Sequence, residues 1–390
     1  MEIVLSEEQR LLVDTARRFV HAELIPLEEE VEAKRRLDPE KARTIFEKSR
    51  AIGLYAMNIP TEYGGGGLSA VDTCLVEEQF GHATDILVRR AFGNVYEVLL
   101  EGDETQKKRW LLPSVRGERT FSVCFTEPGA GSDAAGIKTR AMRDGADWVL
   151  NGQKHFISDG LFSDFFVVSA VTDPAAGAKG ISLFIVDKGV PGFAIGRDQP
   201  MMGLAGTSHV EMFFDNVRLG PEHLLGREGQ GLKLALETLG RIRLAHIGAR
   251  AVGKAARLLG LMTDHARERR QFGQPIGEFQ MVQQMLADSA IEIEAARLLV
   301  LRAASLIDQG REAREHISMV KVYAAETLGR VADRAVQVFG GMGYCKDLPI
   351  ERLYRDARIF RIFDGTSEIH RGVVARGLMK RGVSLVDPPA

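Results

Sequence analysis

The hydrophobic period of the sequence changes twice, and this pattern constrains the fold more than any other feature. Up to residue 118, apolar residues recur at three- and four-residue intervals between capping signals and Gly-rich breaks, which predicts helices. From Thr120, short β-branched and aromatic runs alternate with turn residues, which predicts antiparallel strands in a sandwich or barrel. After Gly229 the helical period returns and holds to the end, as in a helical bundle.

The chain is therefore predicted to have an α+β fold in three parts. Residues 1–118 form an N-terminal helical domain, residues 119–228 a central β-domain, and residues 229–390 a C-terminal four-helix bundle. The dipeptides Asp144-Gly145 and Asn151-Gly152 are predicted turns. The predicted strands are 121–126, 137–142, 148–157, 165–171, 181–186 and 210–214, and the long bundle helices are 232–267, 279–309 and 313–339.

Composition and charge exclude several classes of function. With 51 basic and 53 acidic residues the net charge is -2, which gives no reason to expect nucleic acid or an anionic membrane as a partner. Cys74, Cys124 and Cys345 form no CxxC pair and the nine histidines no HExxH pattern, so no metal site is predicted. The N-terminus resembles no signal or transit peptide, and no apolar run approaches ~18 residues, so we expect a cytoplasmic protein without a membrane span.

One acid near the C-terminus is a candidate base. Asp364 follows the apolar pair Ile362-Phe363 and precedes Gly365 and Thr366, so it lies at a junction between a loop and a helix. A partly desolvated carboxylate there has a raised pKa and can act as a base near neutral pH. From this segment alone, a simple cap or turn residue explains Asp364 at least as well.

A loop after the first strand carries small residues that suit ligand binding. The run from Thr126 to Asp133 contains GxGxxA, but a β-like run follows it instead of a helix, so a Rossmann site is rejected. Its glycines still bring backbone N–H groups close to a ligand, and Thr126 and Ser132 add hydroxyls. A purely structural loop is the alternative.

Three further segments could contact a ligand. Phe156 and Ser158 place a ring and a hydroxyl at a strand end, although a core role for the ring is the commoner case. The run 269–275 interrupts the bundle with a cation, an aromatic and a turn, and the run 337–343 ends a helix at paired glycines, which usually form a C-cap.

Together these segments, in this order, resemble the acyl-CoA dehydrogenase family over nearly the whole chain. The resemblance rests on TEPGAGSD at 126–133, NGQKHFIS at 151–158, ERRQFGQPI at 268–276, QVFGGMGY at 337–344 and FDGTSEI at 363–369. It implies FAD between the β-domain and the bundle, and an acyl-CoA thioester against the flavin. Asp364 would take the α-proton while the β-hydride passes to flavin N5, giving the 2-enoyl-CoA. It also implies a homodimer or homotetramer and an electron-transfer flavoprotein as acceptor.

The resemblance also assigns roles to individual residues. Arg269, Phe272, Gln337 and Gly341 would hold the pyrophosphate and adenosine end of FAD, in this family often across a subunit interface. The other implied cofactor contacts are Phe125, Thr126, Gly131, Ser132, Phe156, Ser158, Thr366 and Glu368. The implied substrate contacts are Ser132, Arg241, Phe363 and Gly365.

Two residues depart from the family pattern. Phe156 stands where most members have Trp, and Asp364 where most have Glu. Some members place their base near 240–243, but this chain has no acid there, and Glu237 lies outside the register. Asp is shorter than Glu by roughly 1.5 Å. The shorter base either makes room for a cyclic or α-branched acyl group, or is compensated by a backbone shift; both remain open.

Rival functions follow from the same departure. Nitroalkane oxidases share the fold and use Asp at the corresponding place, an acyl-CoA oxidase would use oxygen directly, and a non-catalytic homologue would only bind acyl-CoA. Arg89-Arg90 falls near the expected floor of the acyl pocket, but a solvated pair is the favoured interpretation.

Overall fold

Local capping signals start the N-terminal helices where the sequence predicts them. A computed structural model describes residues 5–93 and 95–382, so the predicted ends at residues 1 and 390 lie outside the described residues. Ser6 and Gln9 close a capping box, and Asp38 caps the helix that begins at Pro39. The helices are α1 (Glu7–Phe19), α2 (Glu28–Lys34), α3 (Pro39–Ala51), α4 (Ala70–Phe80), α5 (Asp85–Phe92), α6 (Glu104–Gln106) and α7 (Leu112–Val115).

A twisted sheet follows, built from strands whose inward residues are almost fully buried. In the described residues its order is β6-β7-β3-β2-β4-β5-β8, and β1 pairs with β4. The strands are β1 (Phe121–Cys124), β2 (Arg140–Asp144), β3 (Asp147–Ser158), β4 (Phe165–Val171), β5 (Ile181–Asp187), β6 (Phe193–Asp198), β7 (His209–Leu219) and β8 (Leu224–Leu225).

The sheet differs from the prediction in three ways. It is not wholly antiparallel, because β1 runs parallel to β4; a long connection separates them and allows a crossover. Asn151-Gly152 is not a turn: it lies inside β3 where the register against β7 shifts, and a Cβ on Gly152 would lie 2.4 Å from Thr139 Oγ1. The polar strand β6 was not predicted. The hairpin at Gly145, with φ 64°, is confirmed.

Helices occupy the rest of the chain, in good agreement with the predicted segments. The predicted helix 232–267 is divided by a π-helical segment, Arg243–Ala249, that separates α8 from α9. The elements are α8 (Gly231–Ile242), α9 (Arg250–Glu268), the short hairpin β9 (Arg270–Gln271) and β10 (Gln274–Pro275), α10 (Gln280–Asp308), α11 (Arg314–Phe339), α12 (Gly341–Tyr344), α13 (Ile350–Arg358) and α14 (Ser367–Arg381). None of the described helices has the length and apolar character needed to cross a membrane.

Ion pairs, of which those of Glu28 are buried, join the N-terminal helices to the bundle. Glu28, 2% exposed, accepts bonds of 2.8 Å from Arg257 and 2.7 Å from Arg352. Glu78 pairs with Arg297 at 2.8 Å. Since breaking a buried pair leaves an uncompensated charge, these contacts fix how the two helical parts sit around the cleft described below.

Candidate active site

The backbone of Asp364 is held by contacts from two other helices. Its φ of 53° lies in the left-handed region, which non-glycine residues adopt only uncommonly. Arg243 Nε donates to the carbonyl oxygen of Asp364 at 2.7 Å, and His370 Nε2 lies 3.2 Å from the same oxygen. The other ring nitrogen of His370 contacts Ser318 Oγ at 3.1 Å. The main chain at Asp364 is therefore fixed against the π-helical segment and α11.

The residues after Asp364 start the last helix. Gly365 has φ 94°, and a Cβ there would lie 2.8 Å from His370 Nε2, so only glycine fits. Of the two hydroxyl residues that could cap this helix, Thr366 and Ser367, Thr366 is the cap: its hydroxyl accepts a bond from Ile369 N at 3.3 Å. Asp364 is thus not the cap of α14, and its carboxylate is free for another role.

Burial raises the pKa of the Asp364 carboxyl above its ordinary value, as predicted. The positive charges of Arg243, Lys321 and Arg89 oppose this effect, and the negative charge of Asp85 adds to it. A half-buried carboxylate with several cations nearby has the environment of a base that works near neutral pH.

A cleft opens between α4, α5 and the π-helical segment. Its inner end is aromatic: the rings of Phe92 and Tyr96 lie 4.8 and 5.8 Å from the ring of His246. Burial raises the pKa of the Tyr96 hydroxyl, and the charge of Asp364 also acts to raise it. The cleft is lined by Asn58, Leu68, Ala70, Thr73, Cys74, Phe92, Tyr96, Glu97, Arg241, Ile242, Leu244, Ala245 and His246.

Two predicted substrate contacts lie at the edges of this region. Arg241 lines the cleft with an exposed side chain, so it can meet a charged ligand at the mouth. Phe363 is half-buried and packs edge-on against Phe360, with 5.2 Å between ring centroids. Phe363 is not among the residues that line the cleft, and it packs against the apolar core of the bundle.

The interpretation of Arg89-Arg90 as a solvated pair is wrong. Arg89 is mostly buried, with 12% of its side chain exposed; it pairs with Asp85 and donates to Asp159 at 3.1 Å. Arg90 is also mostly buried, and its guanidinium lies 4.8 Å from the centroid of the Phe162 ring. Because two carboxylates already neutralise Arg89, it does not call for an anionic acyl terminus.

A second cluster of predicted residues lies at the end of β3. The backbone N–H of His155 donates to the Thr126 carbonyl at 2.9 Å, which holds the 126–133 loop beside this strand end. Phe156 has φ 58°, is 52% exposed and stacks on His155 with 4.0 Å between centroids. The carbonyl of Ser158 accepts a 2.6 Å bond from Ser122 Oγ. The structure thus brings together Phe125, Thr126, Phe156 and Ser158, with Gly131 and Ser132 exposed on the adjoining loop.

An ion pair beneath this loop supports it. Lys154, which is fully buried, bonds Glu127 Oε1 at 2.8 Å, Ser169 Oγ at 3.0 Å and the Phe125 carbonyl at 3.3 Å. Glu127 also accepts the backbone N–H groups of residues 138 and 139. The loop is therefore supported by a buried ion pair in addition to the apolar packing of Ala130 and Phe125.

Four of the remaining predicted cofactor residues form a separate group around the β9–β10 hairpin and the end of α11: Arg269, Phe272, Gln337 and Gly341. Arg269 and Phe272 flank the β9–β10 hairpin, and Phe272 is 93% exposed with φ 50°. The hairpin adjoins the end of α11, because His265 stacks on Phe339 with 4.2 Å between centroids. Gln337, Gly341 and Glu368 are also exposed, the last on the first turn of α14.

These residues fit FAD chemically. An exposed ring with hydroxyls beside it suits a flavin, and a Cβ at Gly131 would meet nothing within 4 Å, so the loop backbone is open to a ligand. The exposed guanidinium of Arg269 can bind a pyrophosphate bidentately, and Phe272 offers a free aromatic face. The predicted cofactor residues thus lie in one group at the end of β3, a second around the β9–β10 hairpin and the end of α11, and a third, Thr366 and Glu368, at the start of α14.

Sequence reasoning missed four residues that organise the site. Arg243, Ser318 and His370 hold the Asp364 turn, and Tyr96 lines the cleft beside it. From the sequence, position 243 was considered only as a possible site for an alternative base, and Arg243 cannot be one. The available sequence signal for such residues was a polar side chain repeated on one face of a bundle helix. That pattern is weak evidence for a functional role.

The chain matches three family models in succession. They are acyl-CoA dehydrogenase N-terminal domain at residues 6–118, middle domain at 122–217 and C-terminal domain at 229–379. It is 39% identical to acryloyl-CoA reductase (NADH) of Anaerotignum propionicum over 386 residues, 98% of this chain and 97% of that protein. It is 40% identical to cyclohex-1-ene-1-carbonyl-CoA dehydrogenase of Geobacter metallireducens over 381 residues, 96% and 99% of the two chains.

A solved structure of PigA with FAD and proline also has this fold. It superposes with a TM-score of 0.91 at 29% identity, covering 98% of this chain and 100% of PigA. The three domain matches, the relatives of full length and the site geometry agree with one another. The chain therefore belongs to the acyl-CoA dehydrogenase family of FAD-dependent oxidoreductases.

Proposed function

We propose that this protein dehydrogenates an acyl-CoA thioester to the 2-enoyl-CoA, with Asp364 taking the α-proton. The observation that carries the proposal is the Asp364 turn: a desolvated carboxylate, beside a cleft, on a main chain that other helices hold. Fixed geometry matters here because proton transfer needs the base within hydrogen-bond reach of its target.

Each neighbouring residue has a part in this reaction. Arg243 fixes the carbonyl of Asp364, so the carboxylate keeps one approach to the substrate. Phe92, Tyr96 and His246 wall the cleft and exclude water from the acyl group. When bound, FAD supplies the acceptor for the β-hydride. It would be held by the residue groups around Phe156 and Arg269, with Thr366 and Glu368 at the C-terminal segment.

We further propose that the acyl group is cyclic or α-branched, as in cyclohexanecarboxyl-CoA. The side chain of Asp364 reaches roughly 1.5 Å less far than that of Glu. Its carbonyl is bonded to Arg243 and contacts His370, so the main chain does not readily advance to make up that length. The space left beside the carboxylate suits a bulkier α-carbon, and a relative that shares 40% identity is named for a cyclohexene ring substrate.

The remaining assignments complete the proposal. The active form is a homodimer or homotetramer. Arg269 and Phe272 lie apart from the cluster around Phe156 at the end of β3, and they would contact the FAD of a partner subunit. The electron acceptor is an electron-transfer flavoprotein, and the protein works in the cytoplasm. The domains divide at residues 118 and 228.

An anaerobic titration of the FAD-loaded protein tests the proposal. We expect cyclohexanecarboxyl-CoA or an α-branched acyl-CoA to bleach the flavin absorbance more readily than butyryl-CoA. Asp364→Ala should retain FAD and lose the bleaching. A flavin that no thioester bleaches, but that a nitroalkane does, would contradict the CoA assignment; rapid peroxide formation in air would instead indicate an oxidase.

The steric part of the proposal has its own test. Because the main chain at Asp364 is held, Asp364→Glu should push the carboxylate into the ring substrate. A misplacement of this size can cost on the order of 100-fold in rate. We expect that loss for the cyclic thioester and a smaller loss, or a gain, for butyryl-CoA. An unchanged preference would overturn the steric argument and favour a compensating backbone shift.

We infer that the site also supports the reverse reaction. Two relatives, at 39% and 36% identity, are named as reductases of acryloyl-CoA and of 3-(aryl)acrylate. A raised pKa at Asp364 keeps its protonated form accessible, and that form can return a proton to the α-carbon. Reoxidation of the chemically reduced enzyme by a 2-enoyl-CoA without oxygen would support this direction, and no reoxidation would argue against it.

A further inference from the structure

Lys321, on α11, is a buried cation without a partner. Its side chain has 0% exposure, and its Nζ has no hydrogen-bond partner within residues 5–93 and 95–382. Lys154, by comparison, is equally buried but bonds a carboxylate, a hydroxyl and a carbonyl. Burial of an unpaired ammonium is costly, so such a group persists where a nearby charge compensates it.

The face of α11 that carries Lys321 packs against the Asp364 turn. Ser318, one turn earlier on that face, contacts His370, and His370 contacts the carbonyl of Asp364. The charged groups that most affect the pKa of Lys321 lie on four elements of the described structure. They are Asp364 from the turn, Arg243 from the π-helical segment, Glu368 from α14 and Glu326 from α11 itself. Asp364 is the strongest of these.

We propose that Lys321 is a positioning residue for the base: its buried ammonium, on the face of α11 that packs against the Asp364 turn, supplies part of the counter-charge that keeps the Asp364 carboxylate ionised. Arg243 also lowers the pKa of the Asp364 carboxyl, while its Nε is bonded to the backbone carbonyl of the same residue. Arg243 thus both holds the main chain and adds positive charge, whereas Lys321, whose Nζ has no hydrogen-bond partner among the described residues, acts through its charge alone. The inference rests on the proposed function, in which Asp364 takes the α-proton.

The charges around the two groups agree with this division. Burial raises the pKa of Asp364, while Arg243, Lys321 and Arg89 lower it and Asp85 raises it. Burial lowers the pKa of Lys321 to about 8, and Asp364 opposes that effect. Below that pH the ammonium is charged, so it stabilises the carboxylate form of Asp364 over the range where the base must work.

The test compares Lys321→Met, which removes the charge but keeps the stem, with Lys321→Arg, which keeps the charge. Lys254→Met is the matched control, since Lys254 is also a buried lysine of the bundle but bonds the Ala83 carbonyl instead. The first readout needs no turnover: carbon-13 NMR of the holoenzyme labelled at aspartate carboxyls follows the titration of Asp364, with its signal assigned by loss in Asp364→Asn. The second is the pH profile of flavin reduction by the acyl-CoA.

In Lys321→Met we expect the Asp364 titration and the rising limb of the pH profile to move up by about one pH unit or more. Lys321→Arg should remain near the wild type, and Lys254→Met should lower the melting temperature without moving either curve. Unmoved curves in a folded, FAD-loaded Lys321→Met would overturn the inference. If the NMR titration moves but no thioester reduces the wild-type flavin, the proposed function fails while the pairing of Lys321 with Asp364 stands.

Discussion

Replacing Glu127 with Gln should cost more stability than replacing its partner Lys154 with Met, although both changes break the same ion pair. In Glu127→Gln, the fully buried ammonium of Lys154 keeps only neutral partners, the Ser169 hydroxyl and the Phe125 carbonyl. An uncompensated buried charge of this kind costs about 3–5 kcal/mol.

In Lys154→Met, the carboxylate of Glu127 loses its cation but keeps two hydrogen-bond donors. It still accepts the backbone N–H groups of Lys138 at 2.6 Å and Thr139 at 3.0 Å. Hydrogen bonds to charged groups contribute about 1.5–3 kcal/mol each, so we expect a net loss nearer to 1–2 kcal/mol. The double variant should be less stable than Lys154→Met, because the two backbone N–H groups use both oxygens of Glu127 and a Gln side chain offers only one acceptor oxygen.

Urea unfolding of the FAD-loaded protein measures these differences, and FAD dissociation reports on the loop that the pair supports. We expect Glu127→Gln to release FAD fastest. A Glu127→Gln variant as stable as Lys154→Met, or more stable, would refute the reasoning.

The same pair gives a pH signature. Burial acts to raise the pKa of Glu127, but Lys154 and the two backbone donors hold it below its ordinary value of 4.5. A depressed folded-state pKa contributes stability that is present above that ordinary value and is lost as the pH falls through the folded pKa. The difference in stability between wild type and Glu127→Gln should therefore shrink below about pH 4.5.

Two further predictions concern the active site. Gly365→Ala should cost about 1–2 kcal/mol, the penalty of a left-handed backbone for an L-residue, and its Cβ would meet His370 Nε2 at 2.8 Å. We expect stopped-flow flavin reduction by acyl-CoA to slow at least tenfold while FAD stays bound; a wild-type rate would contradict the role given to the Asp364 turn. Arg89→Met should lower the melting temperature by leaving Asp85 and Asp159 without their shared cation. It should not change the preference between neutral and terminally carboxylated acyl-CoAs, and a selective loss for the carboxylated substrate would show that Arg89 binds it.

The sequence predicted the layers of the fold well because they depend on local periodicity. Helix starts at Ser6 and Asp38 and the Gly145 hairpin follow from short-range chemistry, and the structure has them there. The parallel pairing of β1 with β4 depends on a crossover between distant segments, which no local pattern reports. The Asn151-Gly152 pair shows the same limit, since the dipeptide suits a turn but cross-strand pairing keeps it inside β3.

The candidate site was predictable in part, for a similar reason. Asp364, Phe156 and Arg269 stand in motifs that are contiguous in sequence. Arg243 and Lys321 lie on long helices whose pattern is that of ordinary bundle residues, and only the fold shows that both face the Asp364 turn. Arg89 was misjudged because its partner Asp159 is 70 residues away.

The π-helical segment Arg243–Ala249 has a consequence for how this protein can change over evolutionary time. A π turn contains one more residue than an α turn, so such a segment behaves as a tolerated insertion inside a long helix. Each residue of an α-helix advances the rotation by about 100°. The segment therefore lets the cleft-lining end of the helix adopt a rotational phase independent of α9, whose apolar face stays buried in the bundle. Single-residue insertions or deletions at this one place could exchange the side chains that face the acyl group without repacking the core.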